Sequence, residues 1–179
     1  HVMRGVEYLS STPKYNLMYD AFGWERPTYI HLSPIMKDAQ RKLSKRYGDA
    51  NFEDFVAKGY LPEAIVNYIA LLGWCPKTNK VKMTIEEMIE EFDVDGISKS
   101  PAIFDEAKMR WLNGEYLKAM TPDEFYKVSL PYMLTSKAGG KFNDYDISRL
   151  MQTRVDVLSD IPEKIDFLVD FDEYDVNMY

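Results

Sequence analysis

Apolar residues recur at helical spacing along most of the chain after residue 50. In the segment LPEAIVNYIALLG, Ile65, Ile69 and Leu72 follow the i, i+4, i+7 spacing that places side chains on one face of a helix. Pro62 in the first turn and Gly73 at the end are typical helix boundaries. We therefore predict a helix here in which the three aliphatic residues form the buried face.

Capping signals indicate further helices. Thr84 opens the segment TIEEMIEEF with Glu87 three residues later, and Thr121 opens TPDEFYKVSLPYML with Glu124 at the same spacing. A threonine followed by a glutamate at this distance is the capping-box pattern, in which each side chain bonds the backbone of the other residue. Less marked signals predict helices in NFEDFVAKG, FDEAKMRWLNGEYL, YDISRLMQTRVDVL and PEKIDFLVDF.

The first forty residues predict a different arrangement. HVMRG predicts a strand, STPKYNLMYDAFGW a helix that begins at Thr12 and ends at Gly23, and TYIHLSPIM a second strand. Strand, helix and strand in this order are typical of an α/β sheet. The predicted fold class is therefore mainly α, with the end of an α/β fold at its start. Because a strand begins at residue 1, we expect the chain to be a piece of a longer domain.

The composition is that of a folded protein without a membrane span. Of the 179 residues 46% are hydrophobic and 14% aromatic, and no apolar run approaches the roughly 20 residues that a transmembrane helix needs. The first ten residues lack the basic, apolar and small-residue order of a signal peptide. Cys75 is the only cysteine, which excludes disulfide frameworks and paired-cysteine zinc sites and favours a reducing cytoplasm.

The net charge of -7 is distributed unevenly along the chain. Residues 155–179 contain Lys164 against eight acids, whereas residues 1–60 contain nine Lys and Arg against seven acids. The segment RKLSKR, residues 41–46, places four cations within six positions. A charged partner is steered and bound by the local electrostatic field of the protein and not by its net charge. The negative net charge therefore does not exclude a nucleic-acid partner.

The basic cluster of Arg41, Lys42, Lys45 and Arg46 has two interpretations. Lysines three apart on a loop, with a serine between them, can close over a polyphosphate and stabilise the charge that moves onto a leaving pyrophosphate. Alternatively, the cluster is an ordinary solvated surface loop, because short basic clusters are common. The cluster alone does not decide between these two hypotheses.

The wider context of this cluster resembles one family. KLSKR is similar to the lysine-serine-lysine signature loop of class I aminoacyl-tRNA synthetases, which follows the last strand of their nucleotide-binding fold. Five segments resemble bacterial glutamyl-tRNA synthetases in order and spacing: HVMRGVEYLSSTPKY, YDAFGW, YIHLSPIM, GYLPEAIVNYIALLGW and SPAIFDEAKMRWLNGEYL. The resemblance covers nearly the whole chain and is densest over residues 1–117. Glutaminyl enzymes share the loop but continue into β-barrels, whereas helices are predicted here.

The resemblance implies roles for residues near the start of the chain. Arg4 corresponds to the arginine that pairs with glutamate, and Tyr8, which replaces a tryptophan of some members, lies at the same amino-acid site. The alternative for Arg4 is a surface ion pair. Lys42 and Lys45 are the implied catalytic residues, because they would stabilise the departing pyrophosphate. The implied ATP-binding residues are Glu7, Ile35, Lys42, Leu43, Ser44, Lys45 and Arg46.

A second set of implied contacts concerns RNA. Lys108 and Trp111 match residues that touch tRNA, and a cation with an aromatic ring on one helix suits contact with phosphate and with base or sugar. Alternatively, Trp111 belongs to the core. Arg154 aligns with an arginine of the helical anticodon-binding region, where it could bond a guanine edge or stack on a base. The alternative for Arg154 is an exposed helix arginine without a partner.

The activity implied by the resemblance is the ligation of L-glutamate to tRNA(Glu) through a glutamyl-adenylate. The implied protein is a cytoplasmic monomer that uses ATP with Mg²⁺, binds neither DNA nor a membrane, and has no zinc site in this segment. It is left open whether tRNA(Gln) is charged as well. Class I synthetases also need a histidine-rich signature that contains two histidines. This chain has no such pair of histidines. We therefore expect a C-terminal-half fragment that is inactive alone.

Three functional regions are expected from the resemblance. Residues 1–50 would end the class I catalytic domain with the KLSKR loop, residues 51–120 would contact the tRNA stem, and residues 121–179 would begin a helical anticodon-binding domain. Two other hypotheses remain: a stand-alone tRNA-binding module without catalysis and a purely structural helical domain. A His-x-Gly-His type signature encoded upstream in frame would favour the enzyme. Loss of tRNA affinity on changing Lys108 or Arg154 to alanine would exclude the structural domain.

Overall fold

The structure of the protein is a computed structural model that describes residues 1–43 and 51–169. Within these ranges helices predominate, and the short strands form two parallel pairs. No helix in the described part of the chain is long and apolar enough to cross a membrane. The prediction of a mainly α fold is therefore confirmed.

The chain divides into two compact units. Unit 1 consists of His1–Ala50 and Val66–Asp105, and unit 2 consists of Asn51–Ile65 and Glu106–Tyr179. Each unit thus combines two separate stretches of sequence. Thr121, where the sequence suggested a functional boundary, lies within unit 2, and the three functional regions stay a prediction.

Unit 1 begins with a parallel strand pair joined by helical segments. In chain order these are strand β1 (Val2–Gly5), a 3₁₀ helix (Val6–Ser11), helix α1 (Thr12–Ala21) and strand β2 (Tyr29–Leu32). The register places Arg4 of β1 opposite His31 of β2. Because alternate residues of a strand share a face, Tyr29 lies on the same face of β2 as His31.

The second strand predicted in this region is divided into two. TYIHLSPIM contains β2 and, after a break, strand β3 (Ile35–Met36), which pairs in parallel with strand β4 (Ala102–Ile103). The break falls at Ser33 and Pro34. Pro34 has no N–H to donate to a neighbouring strand, which explains why the ladder is interrupted there. The prediction of one continuous strand is wrong for this reason.

Helix α3 (Pro62–Gly73) has a buried face that includes Ile65, as predicted, but not Ile69. Ala64, Ile65 and Tyr68 are buried, whereas Ile69 is 52% exposed and Leu72 is only partly buried. The helix carries apolar side chains around much of its circumference, so its spacing is compatible with more than one stripe. The assignment of Ile69 to the buried face is therefore wrong.

Unit 1 continues after α3 through segments held by polar side chains. The Oδ1 atom of Asn67 accepts the N–H of Met83 at 2.9 Å, just before helix α4 (Ile85–Glu91). Both bonds of the capping box between Thr84 and Glu87 are present, which confirms that prediction. The Tyr68 hydroxyl both accepts from and donates to the backbone of Asp105, at 2.7 and 2.8 Å.

Unit 2 is a group of helices around an apolar core. Its helices are α2 (Phe52–Ala57), the first turn of α3, α5 (Glu106–Ala119), α6 (Pro122–Met133), α7 (Asp144–Met151) and α8 (Ile161–Ile165). The predicted capping box of Thr121 and Glu124 is present at the start of α6 and is confirmed. Fully buried core residues include Leu117, Phe125, Met133, Ile161 and Ile165.

Two predicted helices of unit 2 are shorter than expected. The helix predicted over YDISRLMQTRVDVL ends at Met151, and the chain then continues through a turn into Val155 and Val157, both buried. Val157 has an extended backbone, which suits a β-branched side chain better than a helix does. In PEKIDFLVDF the α-helix ends at Ile165 and a 3₁₀ helix follows to Leu168, while Asp170 and Phe171 lie outside the described residues.

Close backbone contacts tie the start of unit 2 to its later part. Gly59 has φ +85°, and its carbonyl accepts the N–H of Leu158 at 3.1 Å. The buried side chain of Asn113 accepts the N–H of Leu61 at 2.8 Å and donates to the carbonyl of Asp156 at 2.5 Å. The side chain of Asn113 thus supplies hydrogen-bond partners to two backbone groups that are shielded from water, the N–H of Leu61 and the carbonyl of Asp156.

Candidate functional site

The first candidate site is the face of the β1–β2 pair that carries Arg4 and His31. Nη2 of Arg4 donates to Oγ1 of Thr12 at 2.8 Å, and Nε of Arg4 donates to Nε2 of His31 at 3.5 Å. Oγ1 of Thr12 in turn donates to the carbonyl of Tyr8 at 3.0 Å. Strand register therefore brings Arg4 and His31 together, and the first turn of α1 adds the hydroxyl of Thr12.

Three tyrosine rings surround the same guanidinium. The Cζ atom of Arg4 lies 5.2 Å from the ring centroids of Tyr8 and Tyr15 and 5.0 Å from that of Tyr29. Each distance is within the range of a cation–π interaction. The Tyr29 ring also stacks on His31 with a centroid distance of 6.1 Å. The guanidinium of Arg4 is thus surrounded by three aromatic rings and hydrogen-bonded to the side chains of Thr12 and His31.

Arg4 forms no ion pair with any residue in the ranges that the structure describes. The alternative for Arg4, a surface ion pair, is therefore not present among the described residues. A guanidinium that is positioned but not neutralised suits recognition of a carboxylate from a ligand, because its planar donors match two carboxylate oxygens.

Glu7 and Tyr8 lie on the 3₁₀ helix that follows β1, and both are exposed. The Glu7 carboxylate packs across Gly5, where a Cβ atom would lie 2.1 to 2.6 Å from its carboxyl atoms. Gly5 is therefore needed for this approach unless the Glu7 side chain moves. Of the two, only Tyr8 has a described contact with Arg4.

Ile35, Lys42 and Leu43 are brought together by a short hairpin. The carbonyl of Ile35 accepts the N–H of Leu43 at 3.0 Å, and Met36 forms an antiparallel bridge with Lys42. Lys42 is exposed and forms no ion pair within the described ranges. The structure thus holds the first two residues of the KLSKR loop beside β3.

The turn of this hairpin is organised by Asp38. Its Oδ1 accepts the backbone N–H groups of Gln40 and Arg41, both at 2.9 Å, and its Oδ2 accepts Nε of Arg41 at 2.6 Å. The Arg41 side chain and these backbone bonds lower the pKa of the Asp38 carboxyl from 3.8 to about 2. One of the four cations of the basic cluster is therefore paired inside the turn.

The remaining residues assigned to this loop, Ser44, Lys45 and Arg46, lie outside the described residues. Their assignment to ATP, and that of Lys45 to catalysis, stays a prediction.

Lys108 and Trp111 lie one turn apart on α5, so their side chains emerge from neighbouring positions on the helix. The Trp111 side chain is 46% exposed, whereas Met109 and Leu112 on the same helix are buried. The alternative in which Trp111 belongs to the core is therefore wrong. An exposed indole beside a lysine remains compatible with the predicted tRNA contact.

Arg154 follows α7 in a turn and is exposed. Its Nη1 donates to the carbonyl of Leu150 at 2.7 Å, near the carboxyl end of α7. Of the alternative, an exposed helix arginine without a partner, only the exposure is correct, because Arg154 lies in a turn and its side chain has a backbone partner. The predicted anticodon contact stays a prediction.

Several residues around these sites were missed by the sequence reasoning. Four further residues contact Arg4, although the sequence pointed only to Arg4 and Tyr8 at this site: Thr12, Tyr15, Tyr29 and His31. The alternation of Tyr29 and His31 on one strand face was the available signal. Asp38 was missed as well, although an aspartate two and three residues before its backbone donors is a common turn pattern.

Metal binding has no support from side-chain clusters in residues 1–43 and 51–169. Those ranges contain no group of three or more His, Cys, Asp or Glu side chains that could hold a metal ion.

Comparison with known proteins identifies the class to which the fold and these sites correspond. The sequence model of the family described as "tRNA synthetases class I (E and Q), catalytic domain" matches residues 1–111. The chain belongs to this family of class I tRNA synthetases. The prediction made from the KLSKR loop and its neighbouring segments is confirmed.

The particular proteins that the chain is similar to are glutamate-tRNA ligases. It is 53% identical over 182 residues to the glutamate-tRNA ligase of Clostridium novyi and 52% identical over 179 residues to that of Clostridium acetobutylicum. Both matches cover 100% of this chain and 37% of the relative. The chain therefore spans 37% of the length of these curated relatives.

Solved structures give the same result. The chain is similar to a glutamate tRNA ligase from Elizabethkingia meningosepticum in complex with its amino acid, with a TM-score of 0.84 and 31% identity over 99% of this chain and 39% of that one. It is also similar to the glutamate-tRNA synthetase from Elizabethkingia anophelis, with a TM-score of 0.85 and 31% identity over 99% of this chain and 40% of that one.

Proposed function

We propose that the chain acts within a glutamate-tRNA ligase that joins L-glutamate to tRNA(Glu) with ATP. The glutamate carboxylate attacks the α-phosphate of ATP to give glutamyl-adenylate and pyrophosphate, and a ribose hydroxyl at the tRNA 3′ end then takes the glutamyl group. The identity to glutamate-tRNA ligases over the whole chain supports this activity. Because the chain spans 37% of those relatives, the activity is assigned to the full-length protein.

The observation that carries the proposal is the state of Arg4. Its guanidinium is fixed by Thr12 and His31 and faced by tyrosine rings, and no described carboxylate pairs with it. Arg4 therefore binds the side-chain carboxylate of glutamate and not the α-carboxylate that attacks ATP, with Tyr8 as the adjoining wall of the amino-acid site. The solved relative from Elizabethkingia meningosepticum is described in complex with its amino acid, which supports an amino-acid site in the family.

The KLSKR loop is assigned to the nucleotide. Lys42 and Lys45 stabilise the negative charge that develops on the departing pyrophosphate, since an ammonium at a leaving phosphate lowers the barrier most when the charge moves there. The exposed position of Lys42 opposite Met36 of β3 supports this assignment. The other residues assigned to ATP are Glu7, Ile35, Leu43, Ser44 and Arg46.

Class I tRNA synthetases use ATP with Mg²⁺ generally. The described side chains contain no cluster suited to a metal ion, and so no ligand to Mg²⁺ is assigned to them.

The tRNA contacts are assigned to Lys108, Trp111 and Arg154. The exposed indole of Trp111 and the exposed turn that holds Arg154 support them. Residues 51–120 then contact the tRNA stem and residues 121–179 begin the anticodon-binding region, after the catalytic residues 1–50. Changing Lys108 to alanine should weaken binding of all tRNAs in a salt-dependent way, whereas Arg154→Ala should weaken binding of the cognate tRNA only.

The test of the activity is aminoacylation of tRNA(Glu) by the full-length protein with labelled glutamate. Arg4→Lys is expected to lower kcat/KM for glutamate at least about tenfold, because an ammonium cannot reproduce the planar fork. Arg26→Lys is the matched control, since Arg26 is exposed and pairs with Asp20. Absence of glutamate-dependent charging by the wild-type protein would contradict the proposal.

The 179-residue chain by itself is assigned no adenylate formation, because its two histidines, His1 and His31, do not form a His-x-Gly-His type signature. Incubation of the chain with ATP, glutamate and labelled pyrophosphate is expected to give no exchange into ATP. Appreciable exchange would overturn this assignment. If the full-length protein bound tRNA but charged none, a non-catalytic tRNA-binding module would be the better description.

A further inference from the structure

We propose that Thr12 and His31 are positioning residues that fix one edge of the Arg4 guanidinium and leave the opposite edge for the substrate carboxylate. The proposal rests on the proposed function, because it takes Arg4 as the residue that binds glutamate. Neither residue touches the substrate. Each acts through the orientation of Arg4.

The N–H donors of Arg4 lie along two edges of its guanidinium. A guanidinium has five N–H donors in a fixed plane, and the Nε–H and one N–H of Nη2 point to the same edge. Nε donates to His31 and Nη2 donates to Thr12, so both contacts use that one edge. Oγ1 of Thr12 and Nε2 of His31 lie 3.3 Å apart. Two acceptors side by side thus bind this edge as a bidentate carboxylate would, but without its charge.

The proton arrangement makes both groups acceptors. The hydroxyl proton of Thr12 is directed to the carbonyl of Tyr8, so its oxygen is free to accept from Arg4. His31 can accept from Nε of Arg4 only if its Nε2 carries no proton, which places the ring proton on Nδ1.

The opposite edge is the one presented to a ligand. Nη1 and the second N–H of Nη2 supply three donors, and no acceptor within residues 1–43 and 51–169 bonds them. The rings of Tyr8, Tyr15 and Tyr29 lie around the guanidinium and restrict its tilt. With one edge occupied, Arg4 has a single orientation in which it can take a carboxylate, and the entropy of ordering its side chain is lost before the substrate binds.

The test measures KM and kcat for glutamate in aminoacylation by the full-length protein. Thr12→Val removes the acceptor at constant shape and is expected to raise KM at least about tenfold, the loss expected for a hydrogen bond to a charged group, with kcat within about twofold. Thr12→Ser keeps the hydroxyl and should restore most of the affinity. Thr28→Val is the matched control, because Thr28 is exposed and has no described side-chain bond.

A second pair of variants keeps the proposal testable if Thr12→Val fails to fold. His31→Phe removes the acceptor and should raise KM, whereas His31→Gln offers an acceptor oxygen and should raise it less. An unchanged KM in both Thr12→Val and His31→Phe would overturn the proposal. Equal damage by Thr12→Ser and Thr12→Val would also overturn it, because packing and not the hydroxyl would then matter. A wild-type protein without glutamate-dependent charging would instead contradict the proposed function.

Discussion

Residues 1–43 and the helical unit 2 are built in different ways. None of residues 1–43 is buried, and their contacts are backbone pairing, hydrogen bonds and stacked rings. Unit 2 instead contains a continuous apolar core with fully buried side chains such as Leu117, Phe125 and Ile161. The candidate amino-acid site thus lies in a region with no described core, and the predicted tRNA residues lie in a region that has one.

This difference predicts which substitutions should change the free energy of unfolding and which should change ligand binding. Removing a core side chain costs the transfer free energy of the lost atoms and leaves a cavity. Truncating a half-exposed side chain costs only part of that transfer free energy and leaves no closed cavity. Substitutions in residues 1–43 should therefore change ligand binding more than the free energy of unfolding. Substitutions in the core of unit 2 should do the reverse.

The largest expected effect tests this comparison with one chemical change in each region. Phe125→Ala should lower the free energy of unfolding of unit 2 by about 3 to 5 kcal/mol, because Phe125 is fully buried. Phe22→Ala should cost about 1 kcal/mol, since Phe22 is 61% exposed and mainly stacks on Trp24. Hydrogen–deuterium exchange in increasing urea reports each region separately. Equal costs would break the comparison.

The next effect separates backbone strain from close packing within unit 2. Gly59 and Gly140 both have positive φ, but a Cβ at Gly59 would lie 2.7 Å from the Ser159 nitrogen, whereas a Cβ at Gly140 meets nothing within 4 Å. Gly140→Ala should cost about 1 to 2 kcal/mol of stability from the left-handed backbone alone. Gly59→Ala should cost about 1 to 3 kcal/mol more, from overpacking. Chemical denaturation of both variants measures the difference, and equal destabilisation would contradict it.

A smaller effect should be the same in both units. Thr84→Ala in unit 1 and Thr121→Ala in unit 2 each remove one half of a capping box, and each should cost about 1 kcal/mol. The cost is local, because the lost bond is to the helix backbone and not to a core. The serine variants at both positions keep the acceptor and serve as controls. If hydrogen-exchange measurements showed a loss of stability in only one unit, the tertiary environment of the helix, and not the cap itself, would determine the cost.

The smallest effect concerns the pH dependence of the hairpin turn. The pKa of Asp38 is lowered, so its ionised contacts with Arg41 are fully present above the ordinary value of 3.8 and are lost as pH falls through about 2. Arg41→Gln should raise this pKa toward 3.8, because the side chain of Arg41 is the largest cause of the shift. Carbon NMR of the Asp38 carboxyl measures it. The control Arg26→Gln should leave it unchanged, and an unaltered pKa in Arg41→Gln would refute the assignment.

Local signals in the sequence predicted local structure well. The capping boxes at Thr84 and Thr121 depend on two residues three apart, and both are present. The wrong face of α3 and the overlong helix after Met151 have a different origin. At Val157 helix and extended chain are similar in local preference, and tertiary packing selects the extended form. At Ile69 the helix is as predicted, and the tertiary environment decides which of its apolar faces becomes buried.

The candidate site shows the same division. The family resemblance and the arginine chemistry pointed to Arg4, but its partners Thr12 and His31 are 8 and 27 residues away along the chain. The contact with His31 depends on the parallel register of β1 and β2, and the contact with Thr12 depends on how the first turn of α1 returns to β1; no periodicity in the sequence specifies either. The pairing of Arg41 with Asp38 could have been predicted from the sequence, because both residues lie in one turn.

The exposure of Trp111 has a spectroscopic consequence. An indole in water emits at longer wavelength than a buried one, and Trp111 at 46% exposure contrasts with Trp74 at 7%. Any molecule that covers α5 at this position would change the environment of Trp111. Once the exposed Trp24 is replaced by phenylalanine, the protein carries its own fluorescent reporter on this helix, without an attached dye.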